Sequence, residues 1–98
     1  MKTKVVKIKK LGDDSYDVYI GRPSMWGNPF RIGRDGSREE VIKKYETWIR
    51  TQTHLMKRLP TLEGQRLGCW CKPFPCHGDV LVRLIEKRRE SEEEKDPF

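Results

Sequence analysis

The short apolar run with flanking lysines in Lys4-Val5-Val6-Lys7-Ile8 reads as a strand with an exposed basic face, and Tyr16-Asp17-Val18-Tyr19-Ile20 alternates closely enough for the two-residue period of a half-buried strand. Between them Leu11-Gly12-Asp13-Asp14-Ser15 is turn-forming, so the first two strands are expected to run antiparallel. The period then changes. Val41, Ile42, Tyr45, Trp48 and Ile49 recur at helical spacing behind Ser37 and Glu40, a capping-box pair, and predict a helix of about four turns. Thr53 to Leu59 adds a short helix stopped by Pro60. Arg66 to Cys71 reads as a third strand. Val80, Leu81, Leu84 and Ile85, with Lys87, Arg88 and Arg89 beyond, predict a second long helix.

A strand joined through a helix to another strand makes a right-handed parallel crossover, so the second and third strands should be parallel. The expected fold is therefore a small α/β domain: a three-stranded mixed sheet packed by two long helices. Residues 1–90 form one domain, and the charged segment 91–98 is read as a disordered tail. Ligands in open α/β sheets bind outside the carboxyl ends of the strands. The loops at 21–30 and 69–79 should then face each other across one cleft.

Composition narrows the function. With 35% hydrophobic and 37% charged residues, the core is thin and the surface highly solvated. A net charge of +6 and pI near 9.4 favour an anionic partner: a nucleotide, another phosphate-bearing small molecule or nucleic acid. No apolar run approaches the roughly 20 residues of a membrane span, and nothing signal-like follows Met1. A cytoplasmic protein is expected. Three cysteines, two of them one residue apart, suit free thiols or thiolate ligands better than a disulfide framework.

The chemistry concentrates in Arg66-Leu67-Gly68-Cys69-Trp70-Cys71-Lys72-Pro73-Phe74-Pro75-Cys76-His77-Gly78-Asp79. Strand alternation puts Cys69 and Cys71 on one face and sends Trp70 to the other, into the core. Pro73 and Pro75 stiffen the loop. Cys76, His77 and Asp79 arrive at a helix start, where backbone N–H groups favour anions and acidify a thiol. Cys76 is the candidate nucleophile, with His77 or Asp79 as proton carrier. From the other loop, Arg22 offers a fork of donors to a phosphate. The ligand-binding set is Arg22, Ser24, Trp26 and Asn28 with Cys69, Cys71, Cys76, Gly78 and Asp79. Plainer roles compete: Trp26 as a lid on the core, Arg22 as a loop brace, Asp79 as a partner of the helix dipole.

Two other functions fit some of these residues. Cys69, Cys71, Cys76 and His77 have the ligand types of a zinc site, although their spacing is poor for one; no cofactor is assigned otherwise. The basic first strand with Arg31, Arg34 and exposed aromatics suits a nucleic-acid-binding module, although no established motif is present.

Two long motifs occur in order: Ile20-Gly21-Arg22-Pro23-Ser24 running on to Trp26-Gly27-Asn28-Pro29-Phe30, and Leu67-Gly68-Cys69-Trp70-Cys71 running on through Pro73, Pro75 and Cys76-His77-Gly78-Asp79-Val80-Leu81. Together with Gly33 and the Ser37-Arg38-Glu39-Glu40 helix start, they resemble the DUF4326 domains of unknown function found in bacteria and their phages. The resemblance runs from about Lys4 to Ile85. It implies a bacterial or phage-infected cytoplasm and supplies no activity.

Overall fold

β1 (Lys4–Lys7), β2 (Val18–Tyr19) and β3 (Arg66–Cys69) form one sheet in the order β1-β3-β2, and both pairings are parallel. The register sets Val5 and Val18 on either side of Leu67. The computed structural model describes residues 2–10 and 12–95, with side chains described as far as Arg88.

The parallel relation of the second and third strands is as expected; the antiparallel relation of the first two is not. The turn between them does exist: the Asp13 carboxylate accepts from the amides of Lys9, Lys10 and Ser15 at 3.3, 3.2 and 2.9 Å. The chain does not double back at that turn. It crosses over β3, because Gly68 leaves room on the sheet. A Cβ at Gly68 would lie 2.7 Å from Tyr16 Cγ and 2.8 Å from Ile8 Cδ1, so the missing side chain is the space that the crossing residues fill. The Gly12 amide closes the loop on the Tyr16 hydroxyl at 2.8 Å. β2 is then held on the far side of β3 by Asp17 N–H to Arg66 C=O at 2.8 Å and Ile20 N–H to Gly68 C=O at 3.0 Å. The Arg66 guanidinium clamps the same junction, donating to Asp17 and to the Asp14 carbonyl.

α1 (Arg38–Arg50) opens with the predicted capping box: Glu40 N–H donates to Ser37 Oγ at 3.2 Å and Ser37 N–H to Glu40 Oε1 at 3.0 Å. This satisfies two of the orphan donors of a helix start. Val41, Tyr45 and Ile49 form its buried stripe. α2 (Thr53–Arg58) runs into a single 3₁₀ turn, Leu59–Leu62. Pro60 sits at the start of that turn rather than ending a helix outright, where its missing N–H costs nothing. β3 ends at Cys69, two residues earlier than expected.

α3 (His77–Lys95) covers the sheet. A Cβ at its Gly78 would lie 2.7 Å from Ile20 Cδ1 and 2.8 Å from Val5 Cγ2, so this glycine lets the first turn approach both outer strands. Val80, Leu81, Leu84 and Ile85 enter the core with Ile20, Tyr45, Ile49 and Leu67. The backbone of α3 reaches Lys95. The tail expected at 91–98 falls on residues whose side chains, and for 96–98 whose backbone, lie outside the described residues. No helix among the described residues is long and apolar enough to cross a membrane.

Candidate functional site

The segments after β2 and β3 leave the sheet on the same edge, as parallel strands must, and a cleft of about 360 Å³ opens between them. Arg22, Asn28 and Phe30 line it from one side, Cys69, Trp70, Cys71, Pro75, Cys76 and His77 from the other, with Tyr19, Arg38, Val41 and Ile42 completing the wall. The volume lies in the lower part of the usual range for small-molecule sites.

Hydrogen bonds tie the two sides together. Trp70 Nε1–H donates to the Tyr19 hydroxyl at 3.0 Å, and that hydroxyl donates to the Arg22 carbonyl at 2.8 Å. Arg38, the first residue of α1, donates to the Pro75 carbonyl at 3.1 Å and lies over the Phe74 ring at 5.2 Å. Asn28 donates to the Val41 carbonyl at 3.2 Å and accepts from Phe30 N–H at 2.9 Å. Its amide therefore holds the loop against α1 in addition to facing the cleft. The Arg22 guanidinium has no hydrogen-bond or ion-pair partner among the described residues.

The expected site residues divide. Arg22, Asn28, Cys69, Cys71, Cys76 and His77 line the cleft; Ser24, Trp26, Gly78 and Asp79 are not among its lining residues. Trp26 is buried in the core, and its carbonyl accepts from the Tyr45 hydroxyl at 2.7 Å, so the plainer role prevails. Ser24 Oγ accepts from Trp26 N–H at 3.3 Å. Asp79 accepts from the Cys76 amide at 3.1 Å and pairs with Lys72 at 3.0 Å, closing the first turn of α3. Trp70, expected in the core, is 46% exposed. Strand alternation stops applying once β3 ends at Cys69, so the residue after it turns outward to the rim. Tyr19 and Arg38 escaped sequence reasoning; their only signals were their places at a strand end and a helix start.

The thiols form the floor. Cys69 and Cys76 are free cysteines with sulfurs 3.2 Å apart, both buried. Hydrogen bonding from the Cys76 thiol is the main cause that pulls the Cys69 pKa down to about 6, with smaller contributions from the Cys71 and Lys72 amides and the Cys71 thiol. Cys76, facing that charge and buried with it, is pushed up despite the Gly78 amide at the helix start. The directions therefore run opposite to the expectation for Cys76: hydrogen bonding within the pair lowers Cys69 and raises Cys76. Thiolate absorbance near 240 nm should therefore appear on the rising limb of a pH titration with a midpoint about 6. It should amount to one thiolate and vanish in Cys69→Ser. A first midpoint in the ordinary range of about 8.5 would contradict the arrangement.

His77 does not face its neighbour's sulfur. Its Nε2 bonds to the Ile20 carbonyl at 2.7 Å, and its ring meets Tyr45 edge-on at 5.0 Å. Burial is the main cause that lowers its pKa, so the ring is neutral and donates N–H to that carbonyl. The Cys76–His77 dyad is not assembled. Neither is the four-ligand set Cys69, Cys71, Cys76 and His77: no group of three or more His, Cys, Asp or Glu among the described residues is placed to hold a metal ion. Of the basic residues weighed for nucleic acid, Lys4 and Lys7 are exposed on β1, whereas Arg34 is paired with Asp35 at 2.9 Å.

Comparison with known proteins places the chain in a wider set. The chain is 40% identical over 77 residues to an "uncharacterized 12.4 kDa protein in nrdA-td intergenic region" of Enterobacteria phage T4, covering 74% of this chain and 69% of that protein. It is 37% identical over 107 aligned residues to "uncharacterized protein R718" of Acanthamoeba polyphaga mimivirus, covering 85% and 82%. No solved structure matches it at a significant level. The family model "Domain of unknown function (DUF4326)" matches residues 4–87, from the first residue of β1 well into α3, and the chain belongs to that family.

Proposed function

We propose that this domain binds a nucleotide-like or other phosphate-bearing small molecule in the cleft between the 21–30 and 69–79 loops. The observation that carries this reading is the lining of the cleft: an arginine without a hydrogen-bond or ion-pair partner among the described residues, in one lining with the aromatic side chains of Tyr19, Phe30 and Trp70. Arginine presents a planar fork to phosphate oxygens, and aromatic side chains offer stacking surface to a base. The remaining donors of Arg38, which spends Nη1 on the Pro75 carbonyl, add to the positive side. A cleft of this size suits a mononucleotide or nucleoside phosphate more than a dinucleotide. The setting we assign is the cytoplasm, where three free thiols persist in reduced form.

A thermal-shift screen of nucleosides, nucleotides and sugar phosphates on reduced protein tests it. A ligand at about a hundred times its Kd should stabilise the fold by about 2.7 kcal/mol. Removing a charged hydrogen-bond partner costs about 1.5–3 kcal/mol, so Arg22→Ala should weaken binding roughly 10- to 100-fold while leaving the unliganded melting temperature in place. If no phosphate-bearing compound shifts the melt, or Arg22→Ala responds as the parent does, the reading is wrong.

A further inference from the structure

We infer that Cys69 and Cys76 form a peroxide-reactive dithiol that closes to a reversible intramolecular disulfide at the floor of the cleft. Three observations converge. The two sulfurs lie 3.2 Å apart and both are free, so they need approach only to the roughly 2.0 Å of a disulfide bond. Both line the cleft, which admits a molecule as small as a hydroperoxide to sulfurs that are otherwise buried at 1% and 3% exposure. They stand at the end of β3 and immediately before α3, joined by the single loop of residues 70–75.

The groups around them divide the work. Cys69 receives the amides of Cys71 and Lys72 and is held as the anion that attacks. Lys72 is a cation close to both sulfurs, paired with Asp79, and favours that anion further. Cys76 keeps its proton and is the resolving thiol. The Cys69 thiolate attacks one oxygen of the hydroperoxide; the O–O bond breaks, and the departing oxygen leaves as hydroxide, which becomes water with the proton Cys69 has released. Cys69 is now a sulfenic acid. The Cys76 sulfur, giving up its proton, then attacks the Cys69 sulfur; the S–S bond forms, the S–O bond breaks, and hydroxide leaves with that proton as a second water. Two thiols are oxidised and one hydrogen peroxide is reduced to two waters. A cellular dithiol reverses the bond by exchange. Disulfides of this transient kind are the ones found in reducing compartments.

Cys71 shares the cleft and touches Cys69, so it is the internal competitor and the test must separate it. The full-length protein, reduced and folded, is treated with hydrogen peroxide, its remaining thiols are alkylated, and it is digested with chymotrypsin, which cuts after Trp70 and separates Cys69 from the other two. The expected result is an intact mass lower by two hydrogens, one bridge joining Cys69 to Cys76, Cys71 carrying the alkyl group, and full return of three thiols with dithiothreitol. Cys71→Ser should bridge equally well. In Cys71→Ser/Cys76→Ser, Cys69 should stop at the sulfenic acid and be labelled by dimedone. Three surviving thiols in the wild type, or a bridge that uses Cys71 while Cys76 is alkylated, overturns the inference whether or not the variants fold. The reaction needs no bound nucleotide, so it stands or falls separately from the ligand proposed for the cleft.

Discussion

Gly68→Val should destabilise the domain by about 3 kcal/mol, the upper end of overpacking effects, and lower its melting temperature by roughly 12–24 °C, at about 4–8 °C per kcal/mol for a domain near this size. A branched residue in a strand is ordinarily favourable. Here the first carbon of any side chain meets Tyr16 Cγ at 2.7 Å, Tyr16 Cβ at 2.8 Å and Ile8 Cδ1 at 2.8 Å. Ile8 is a flexible end that can rotate. Tyr16 cannot retreat freely, because its hydroxyl accepts the Gly12 amide and the next residue, Asp17, is bonded through its amide and carboxylate to Arg66. The cost therefore falls on the whole passage from β1 to β2. Gly68→Ala should show a smaller loss, and that loss should shrink in a Tyr16→Ala background, a coupling that a double-mutant cycle measures. Thermal denaturation followed by circular dichroism is sufficient. A Gly68→Val protein melting within a few degrees of the parent would mean that the crossover does not lie on this glycine.

The second large effect is expected at His77. His77→Ala removes a buried ring and leaves the Ile20 carbonyl, at 2.7 Å from Nε2, without its donor. An unsatisfied buried acceptor costs about 1–3 kcal/mol and a cavity adds to it, so about 3 kcal/mol is expected in total. His77→Gln can place an amide N–H near the position of Nε2 and should recover a substantial part. The pH dependence separates the ring from its substitute. Burial lowers the folded-state pKa of His77 below 6.5, whereas in the unfolded chain the ring gains a proton below about 6.5. The stability it contributes is thus complete above about 6.5 and is lost as pH falls below that value. His77→Gln should flatten this acid limb. Denaturant unfolding at a series of pH values reads both effects, and an Ala variant as stable as the parent would remove His77 from the frame.

These two positions also show what a linear reading reaches. Ser37 and Glu40 announce α1 because a capping box is satisfied by residues three apart, and the structure has it. The meeting of the two motif loops follows from the crossover rule alone: a helical connection makes β2 and β3 parallel, so their exits share an edge. The turn residues between β1 and β2 predict a hairpin. They do make a turn, but its direction depends on a contact with Gly68, more than fifty residues further on, and no local pattern carries that. Trp70 lies on the rim and not in the core for a related reason, since alternation extends only as far as the ladder does. A helix start alone predicts the charge on Cys76; the shift toward Cys69 comes mainly from the Cys76 thiol beside it, a contact that only the fold brings about.

The strand in the middle of the sheet is the last of the three to be translated. Val5 and Val18 have no partner until Leu67 arrives, so two ribbons of nascent chain leave the ribosome with nothing to pair with each other. The order of synthesis and the order of assembly are then opposed, and assembly must be a single late event in which both flanking strands close onto the newcomer at once. A chain halted before Arg66 should contain helix but no sheet.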